Sequence, residues 1–402
     1  MTWGILAPDA VVSLRRQQNL GLAAAVRYHN DSAVPGLGGM WFAMPILWSV
    51  LAVSIAEELT QSALPVGNAV EALMMRHARN GPADRRVRGA RKMQGLNDWS
   101  FCNLTRRGTY VVQPIRMAMV QPLVALGFVK GSRYGAFRMH EAGRRMLDLP
   151  VMQESRRILC AWARGGNPHG LADISNLLSP TAEVPQEVRK LIHAQMVQGH
   201  DESARRRRNL IALGTGPTAE QLEQPNPLAG IEPDHWVDLR AGAAFMDLRD
   251  AALAVLYRIE QRLRALRDAN EPVRLLTDEA AKVAKDEILV LRNLVRSAGP
   301  RIAASNDGVS RVFLTEIETL SGAAMPARLA QRDRTVIALR GDHLALGPAA
   351  GDSRAEAGED ENRPIAKDEA FAPQLFRLNN LHCLARELET GINPGSPSAG
   401  GA

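Results

Sequence analysis

Basic side chains are the chemistry this sequence offers most plainly. Between residues 80 and 165 stand sixteen lysines and arginines against five acids, Asp84, Asp98, Glu141, Asp148 and Glu154. That is a local charge of +11 in a chain whose formal net charge is +6, which leaves the remainder at −5. Charge concentrated this way raises the local potential and draws polyanions, phosphate backbones above all. A solvated basic face is the competing reading. A second concentration, Arg205, Arg206, Arg207 and Arg208 in "SARRRRNL", is a candidate second phosphate-contacting patch. On a helix four consecutive residues point all round the axis, so no single partner can neutralise them, and a solvated or acid-paired face competes here too.

Catalytic and metal-binding patterns are weaker. His169, then His200-Asp201, then Asp247 or Asp250 follow the residue order of a metal-dependent phosphohydrolase, but His200 comes after "MVQG" rather than a sustained apolar helix. Asp234, His235 and Asp238 in "EPDHWVDL" could hold a metal from one helical turn, yet capping and surface solvation explain them more simply. The P-loop, HExxH, GxSxG and dinucleotide-binding glycine patterns are missing. Cys102, Cys160 and Cys383 are odd in number, widely separated and outside any CxxC or Cys/His cluster. That usage fits a reducing compartment, so cytoplasm is expected. The sequence predicts no metal, no cofactor and no catalytic residue, and hence a protein that is not an enzyme.

Elements must position the basic groups, and a chain of 402 residues has room for two to three domains with sizeable cores. Its Ala/Arg/Leu-rich composition with 4% aromatics favours helix over sheet, so a mainly α protein is expected. The uncharged run Gly38 to Ala56, "GGMWFAMPILWSVLAVSIA", approaches the ~20 residues that span a bilayer. Pro45 sits inside it, and Glu57 and Glu58 follow without flanking Lys or Arg. A buried helix beginning near Pro45, with the proline in its first turn, fits better, and no membrane partner is expected. The run also starts too late for a signal peptide.

Residues 1–80 read as a helical lobe. Residues 81–150 then hold a short helix near Ala83 to Met93, a polar connection, a helix from about Val112 to Leu126, a hairpin and another helix. Residues 151–348 form a helical region. Within it a helix from Val151 ends at Gly165-Gly166, Thr218 and Gln221 make a capping box, and Leu248, Ala252, Val255, Ile259, Leu263 and Leu266 mark a long amphipathic helix. "DEAAKVAKDEILVLRNLVRSAG" is its expected antiparallel partner, and the pair 235–298 is either core packing or a seam for a homo-oligomer or protein partner. "RTVIALRGDHLALGPAA" reads as a hairpin turning at Gly341-Asp342. An acidic linker without structure is expected at 349–364, a helix within 365–390 and a flexible tail at 391–402.

The hairpin carries the sharpest signal. Ile115, Met119, Leu123 and Leu126 share one helical face, Gly127 ends the helix, Phe128 and Val129 begin a strand, and Gly131 to Gly135 turn with Arg133 and Tyr134 at the tip. Phe137 and Met139 alternate with Arg138 on the returning strand, and Ala142, Met146 and Leu149 give the next helix its apolar face. "LVALGFVKGSRYGAFRMHEAGRRML" resembles the winged helix-turn-helix pattern, matching at Leu123, Leu126, Gly127, Phe128, Val129, Tyr134, Phe137, Met139, Glu141 and Gly143. The resemblance covers about residues 82–150. Pro122 inside the helix and His140 in place of the usual Ser or Thr cap depart from it.

The resemblance implies helical lobes around a winged-helix module with a small β-hairpin wing, and contact with DNA. In that reading Gln113 and Arg116 reach base edges, where Gln and Arg can bond adenine and guanine bidentately. Arg106, Arg107, Lys130, Arg133 and Arg138 meet phosphates, with Tyr134 at the wing tip. The expected function is therefore non-catalytic DNA binding, in a subunit of a larger DNA-handling assembly or a transcriptional regulator. The alternative is a helical scaffold or adaptor whose winged helix binds protein only.

Overall fold

The structure is a computed structural model that describes residues 20–350 and 376–393. The chain is mainly helical. In order it forms α1 (Ala23–Ala33), α2 (Met44–Glu58), α3 (Ala63–Ala78), α4 (Ala90–Met93), α5 (Phe101–Leu104), a 3-10 turn at Ile115–Met119, α6 (Val120–Ala125) and β1 (Val129–Lys130). A second 3-10 turn (Tyr134–Ala136), β2 (Arg138–Met139), α7 (Glu141–Leu147), α8 (Pro150–Ala163), α9 (Leu171–Leu177), α10 (Gln186–Val197), α11 (Glu202–Ala212) and α12 (Ala219–Glu223) follow. Then come α13 (Pro233–Asp268), β3 (Arg274–Leu276), α14 (Thr277–Val283), α15 (Lys285–Ala303), α16 (Gly308–Thr319), α17 (Met325–Asp333), β4 (Ile337–Arg340), β5 (His343–Leu346) and α18 (Phe376–Thr390). The acidic stretch Gly351 to Pro364, most of the expected tail and residues 1–19 lie outside the described residues.

Among the described residues the chain divides into two compact units, 30–235 with 376–393, and 20–29 with 236–350. The first holds α2 at its centre. Every residue from Met44 to Ala56 is buried, so this uncharged helix is apolar on all sides because it is surrounded, by α3 and α8 among others. Pro45 occupies its first turn, where no N–H is lost, and Trp48 Nε1 donates to the Leu178 carbonyl at 2.8 Å. No described helix is long and apolar enough to cross a membrane.

The second unit has one core. The stripe read from α13, Leu248, Ala252, Val255, Ile259, Leu263 and Leu266, is buried there with Leu291, Val295, Phe313 and Leu329. These apolar residues are spent on packing, and Arg258 of α13 also reaches Glu287 of α15 at 3.9 Å. The Gly341-Asp342 hairpin is present as β4 and β5, with Arg340 opposite His343 and Gly341 at φ 63°, the left-handed first position that a two-residue turn of this kind requires. β3 joins its other edge, giving the order β3-β5-β4. His29 is buried here. Its Nε2–H donates to Ser310 Oγ at 2.9 Å, Ser310 donates to Asp307, and burial pushes the imidazole down to about 4.

Candidate nucleic-acid interface

The hairpin is built on two short paired strands. Val129 lies opposite Met139 with both side chains buried, and Lys130 lies opposite Arg138 with both exposed. The period of two thus sends an apolar pair inward and a like-charged pair outward. Three anchors hold the inner face. Glu57 Oε1 accepts the Met139 N–H at 2.7 Å, Ser62 Oγ donates to the Gly135 carbonyl at 3.2 Å, and the His140 N–H bonds the Phe128 carbonyl at 3.0 Å. His140 makes no side-chain cap to α7; its Nδ1 donates instead to the Gly127 carbonyl at 3.2 Å.

Tyr134 is buried at 4% exposure, contrary to its expected place at an exposed tip. The turn folds back as a 3-10 segment, which stacks the Tyr134 ring 5.3 Å from that of Phe137. A Cβ at Gly67 of α3 would come within 2.6 Å of the Tyr134 ring, so this helix glycine is the notch that receives it. Burial pushes the phenol up to about 12.

The helix expected from Val112 to Leu126 is shorter and changes type. Its first turn, Ile115–Met119, is 3-10, and α6 begins only at Val120. Pro122 therefore falls in the first turn of α6, where its missing N–H breaks no helical bond, rather than kinking the last turn. At the start of the 3-10 turn the Glu71 carboxylate of α3 accepts the N–H groups of Ile115 at 2.7 Å and Arg116 at 2.9 Å, together with the Tyr110 hydroxyl at 3.0 Å. Glu71 is 1% exposed, and burial raises its carboxyl above the ordinary value against the opposing pull of these donors. Nothing in the local pattern had marked it. The signal that could have done so is an acid alone in the apolar run "AVEALMM", Ala69 to Met75.

Arg116 is turned toward this unit rather than outward. Its Nε donates to Asn68 Oδ1 at 2.6 Å and its guanidinium lies 5.3 Å from the centre of the Tyr134 ring. Gln113 is half-buried. The exposed side chains of the same stretch are apolar, Val112 at 65%, Met117 at 56% and Val124 at 40%.

Arg106 and Arg107 are exposed in the turn after α5. Arg106 adds a small part to the lowering of the Asp98 carboxyl, which is due first to the Ser100 N–H. Lys130, Arg133 and Arg138 are exposed, and no ion pair engages them among the described residues; Arg138 donates only to the carbonyl of Phe137 at 3.0 Å. From Trp99 to His140 the sequence carries six basic side chains and not one acid.

The four-arginine stretch on α11 behaves differently. Arg206 and Arg207 are 7% and 3% exposed. Arg206 donates to the Ser32 carbonyl at 3.0 Å and pairs with Glu202 at 2.7 Å and Asp234 at 3.4 Å. Arg207 holds the carbonyls of Met196 at 3.0 Å and Pro35 at 2.9 Å. Arg205 pairs with Glu232 at 2.6 Å, and Arg208 donates to the Val197 carbonyl at 2.7 Å. Of the expected second phosphate-contacting patch, Arg206 and Arg207 are thus buried and held internally, while Arg205 and Arg208 are exposed. The helix points the four side chains round its axis, and two of them reach carbonyls in the last turns of α1 and α10 (Ser32, Met196) and in the turn at Pro35, groups that a helix end or a turn leaves without a backbone partner.

Among the described residues no three His, Cys, Asp or Glu side chains gather as a metal set. His235 is buried, its Nε2–H donating to the Ala33 carbonyl at 2.9 Å, so it serves packing beside Asp234. No family model matches the chain, and no curated protein and no solved structure matches it.

Proposed function

We propose that this protein binds double-stranded DNA without catalysis, gripping the phosphate backbone with the outer face of the β1–β2 hairpin. The observation that carries the reading is the cross-strand pair Lys130 and Arg138, exposed and directly opposite each other. Like charges in register destabilise the ladder, a cost that a bound polyanion removes. Arg133 lies in the connecting turn between them, and Arg106 and Arg107 add to the charge of the same acid-free segment. The order of short helix, strand, turn, strand and helix resembles a winged helix, whose hairpin meets phosphates. A DNA-handling subunit fits the large helical remainder better than a minimal regulator does.

A second reading, a scaffold whose module binds protein only, is favoured by the exposed Val112, Met117 and Val124. Fluorescence anisotropy of a labelled duplex separates the two. The full chain should bind at low salt, and the Lys130→Ala/Arg133→Ala/Arg138→Ala variant should bind at least tenfold more weakly. No binding by the unaltered chain at low salt would overturn the DNA reading in favour of the scaffold.

A further inference from the structure

We infer that the DNA-contacting face recognises the duplex backbone irrespective of base sequence, an inference that rests on the reading just given. Sequence readout through a helix needs an accessible helix end and several polar side chains that reach base edges in the major groove. The stretch from Val112 to Ala125 has neither. Its N-terminal N–H groups, on Ile115 and Arg116, are already accepted by the buried carboxylate of Glu71. Both N–H groups are thus satisfied from inside the unit and are not offered to a ligand.

The side chains agree with the backbone. Arg116, the residue best suited to guanine, is held by Asn68 Oδ1 and stacked on Tyr134. Reaching a base would mean giving up both contacts and exposing the ring that fills the Gly67 notch. The outward positions, Val112, Met117 and Val124, carry no hydrogen-bonding group. Gln121 is half-exposed but its Nε2 donates to Asp31 Oδ1 at 2.8 Å, which leaves Gln113, and a single good edge contact separates right from wrong bases by only about 1–3 kcal/mol. The hairpin, by contrast, offers three exposed cations, Lys130, Arg133 and Arg138, which suit phosphate oxygens and carry no base information. Backbone contact is what this face can make, and discrimination between sequences is what it lacks.

The test uses the full chain and a pool of duplexes with a randomised central region, partitioned by binding over successive rounds, followed by titration of AT-rich, GC-rich and mixed duplexes of equal length. The expected result is no enriched motif and affinities within about threefold of one another. Lys130→Ala/Arg138→Ala should weaken all duplexes by the same factor, and Met117→Ser should change none. An enriched motif, or one duplex bound more than tenfold tighter than its scrambled version, would overturn sequence independence while leaving DNA binding in place. Failure to bind any duplex at low salt would overturn DNA binding itself and this inference with it.

Discussion

Two arginine-rich stretches of this chain look alike as sequence and are used in opposite ways. On α11, the guanidiniums of Arg206 and Arg207 are buried and bonded to carbonyls of Ser32, Pro35 and Met196 and to two carboxylates. On the hairpin, Lys130, Arg133 and Arg138 stand in water, two of them facing each other. The difference comes from what surrounds the elements. A helix packed against helix ends and a turn brings unpaired carbonyls within reach of long side chains. A two-stranded hairpin has only one inner face, and its apolar pair, Val129 and Met139, takes it. Charge count alone therefore does not say which cations are open to a partner; the fate of each cation's hydrogen bonds does.

That comparison can be broken at its buried side with the largest effect. Arg207→Ala removes both bonds to Met196 and Pro35 and leaves two carbonyls without a donor. A loss of about 3 kcal/mol of unfolding free energy is expected in urea titrations, with DNA affinity of the folded protein unchanged. A stability change under about 0.5 kcal/mol would show that the buried arginines do not staple this unit.

Buried acid gives the next effect. Glu387 of α18 is 2% exposed and accepts the N–H of Ala43 at 2.9 Å and Asn393 Nδ2 at 3.0 Å. Burial outweighs these donors and the charges of Arg86 and Arg189, and pushes its carboxyl up to about 7 from an ordinary 4.5. Because the folded value is the higher one, the stabilisation it brings is complete below about pH 4.5 and is lost as pH rises to about 7. Glu387→Gln keeps an acceptor and removes the ionisation, so the variant should gain roughly 2 kcal/mol over the parent at pH 8 and nothing at pH 4.5. Parallel stability curves for the two proteins across that range would contradict the assignment.

The exposed side should respond least in stability. Lys130→Ala/Arg138→Ala relieves the facing charges and is expected to leave the unfolding free energy unchanged or raised by about 0.5 kcal/mol, read from the same titrations. A loss of 2 kcal/mol or more would mean that these side chains hold the hairpin together.

Much of the fold was legible because it rests on periodicity. The stripe from Leu248 to Leu266, the all-apolar α2 and the alternation around Phe137 and Met139 each state which face is buried, and each is buried accordingly. The site was legible only in part. The outward placement of Lys130, Arg133 and Arg138 follows from strand alternation and turn position. The inward turn of Tyr134 depends on a gap at Gly67, some sixty-seven positions earlier in the chain. The clamp on the 3-10 turn depends on Glu71 meeting the N–H groups of Ile115 and Arg116 from another helix. The burial of Arg206 and Arg207 depends on carbonyls about 170 residues away, Ser32 in the last turn of α1 and Pro35 just beyond it. Local pattern carries none of these, since each is decided by which distant backbone comes to lie alongside.

We propose that the hairpin, and not α11, meets the phosphates. The most direct measurement is the slope of log binding constant against log salt for the full chain, for Lys130→Ala/Arg133→Ala/Arg138→Ala, and for Arg205→Ala/Arg208→Ala. Each phosphate contact contributes about 0.9 to the magnitude of that slope, so the hairpin variant should lose about 2 to 3 and the α11 variant less than about 0.5. Equal slopes for the parent and the hairpin variant, or a larger drop in the α11 variant, would contradict the account.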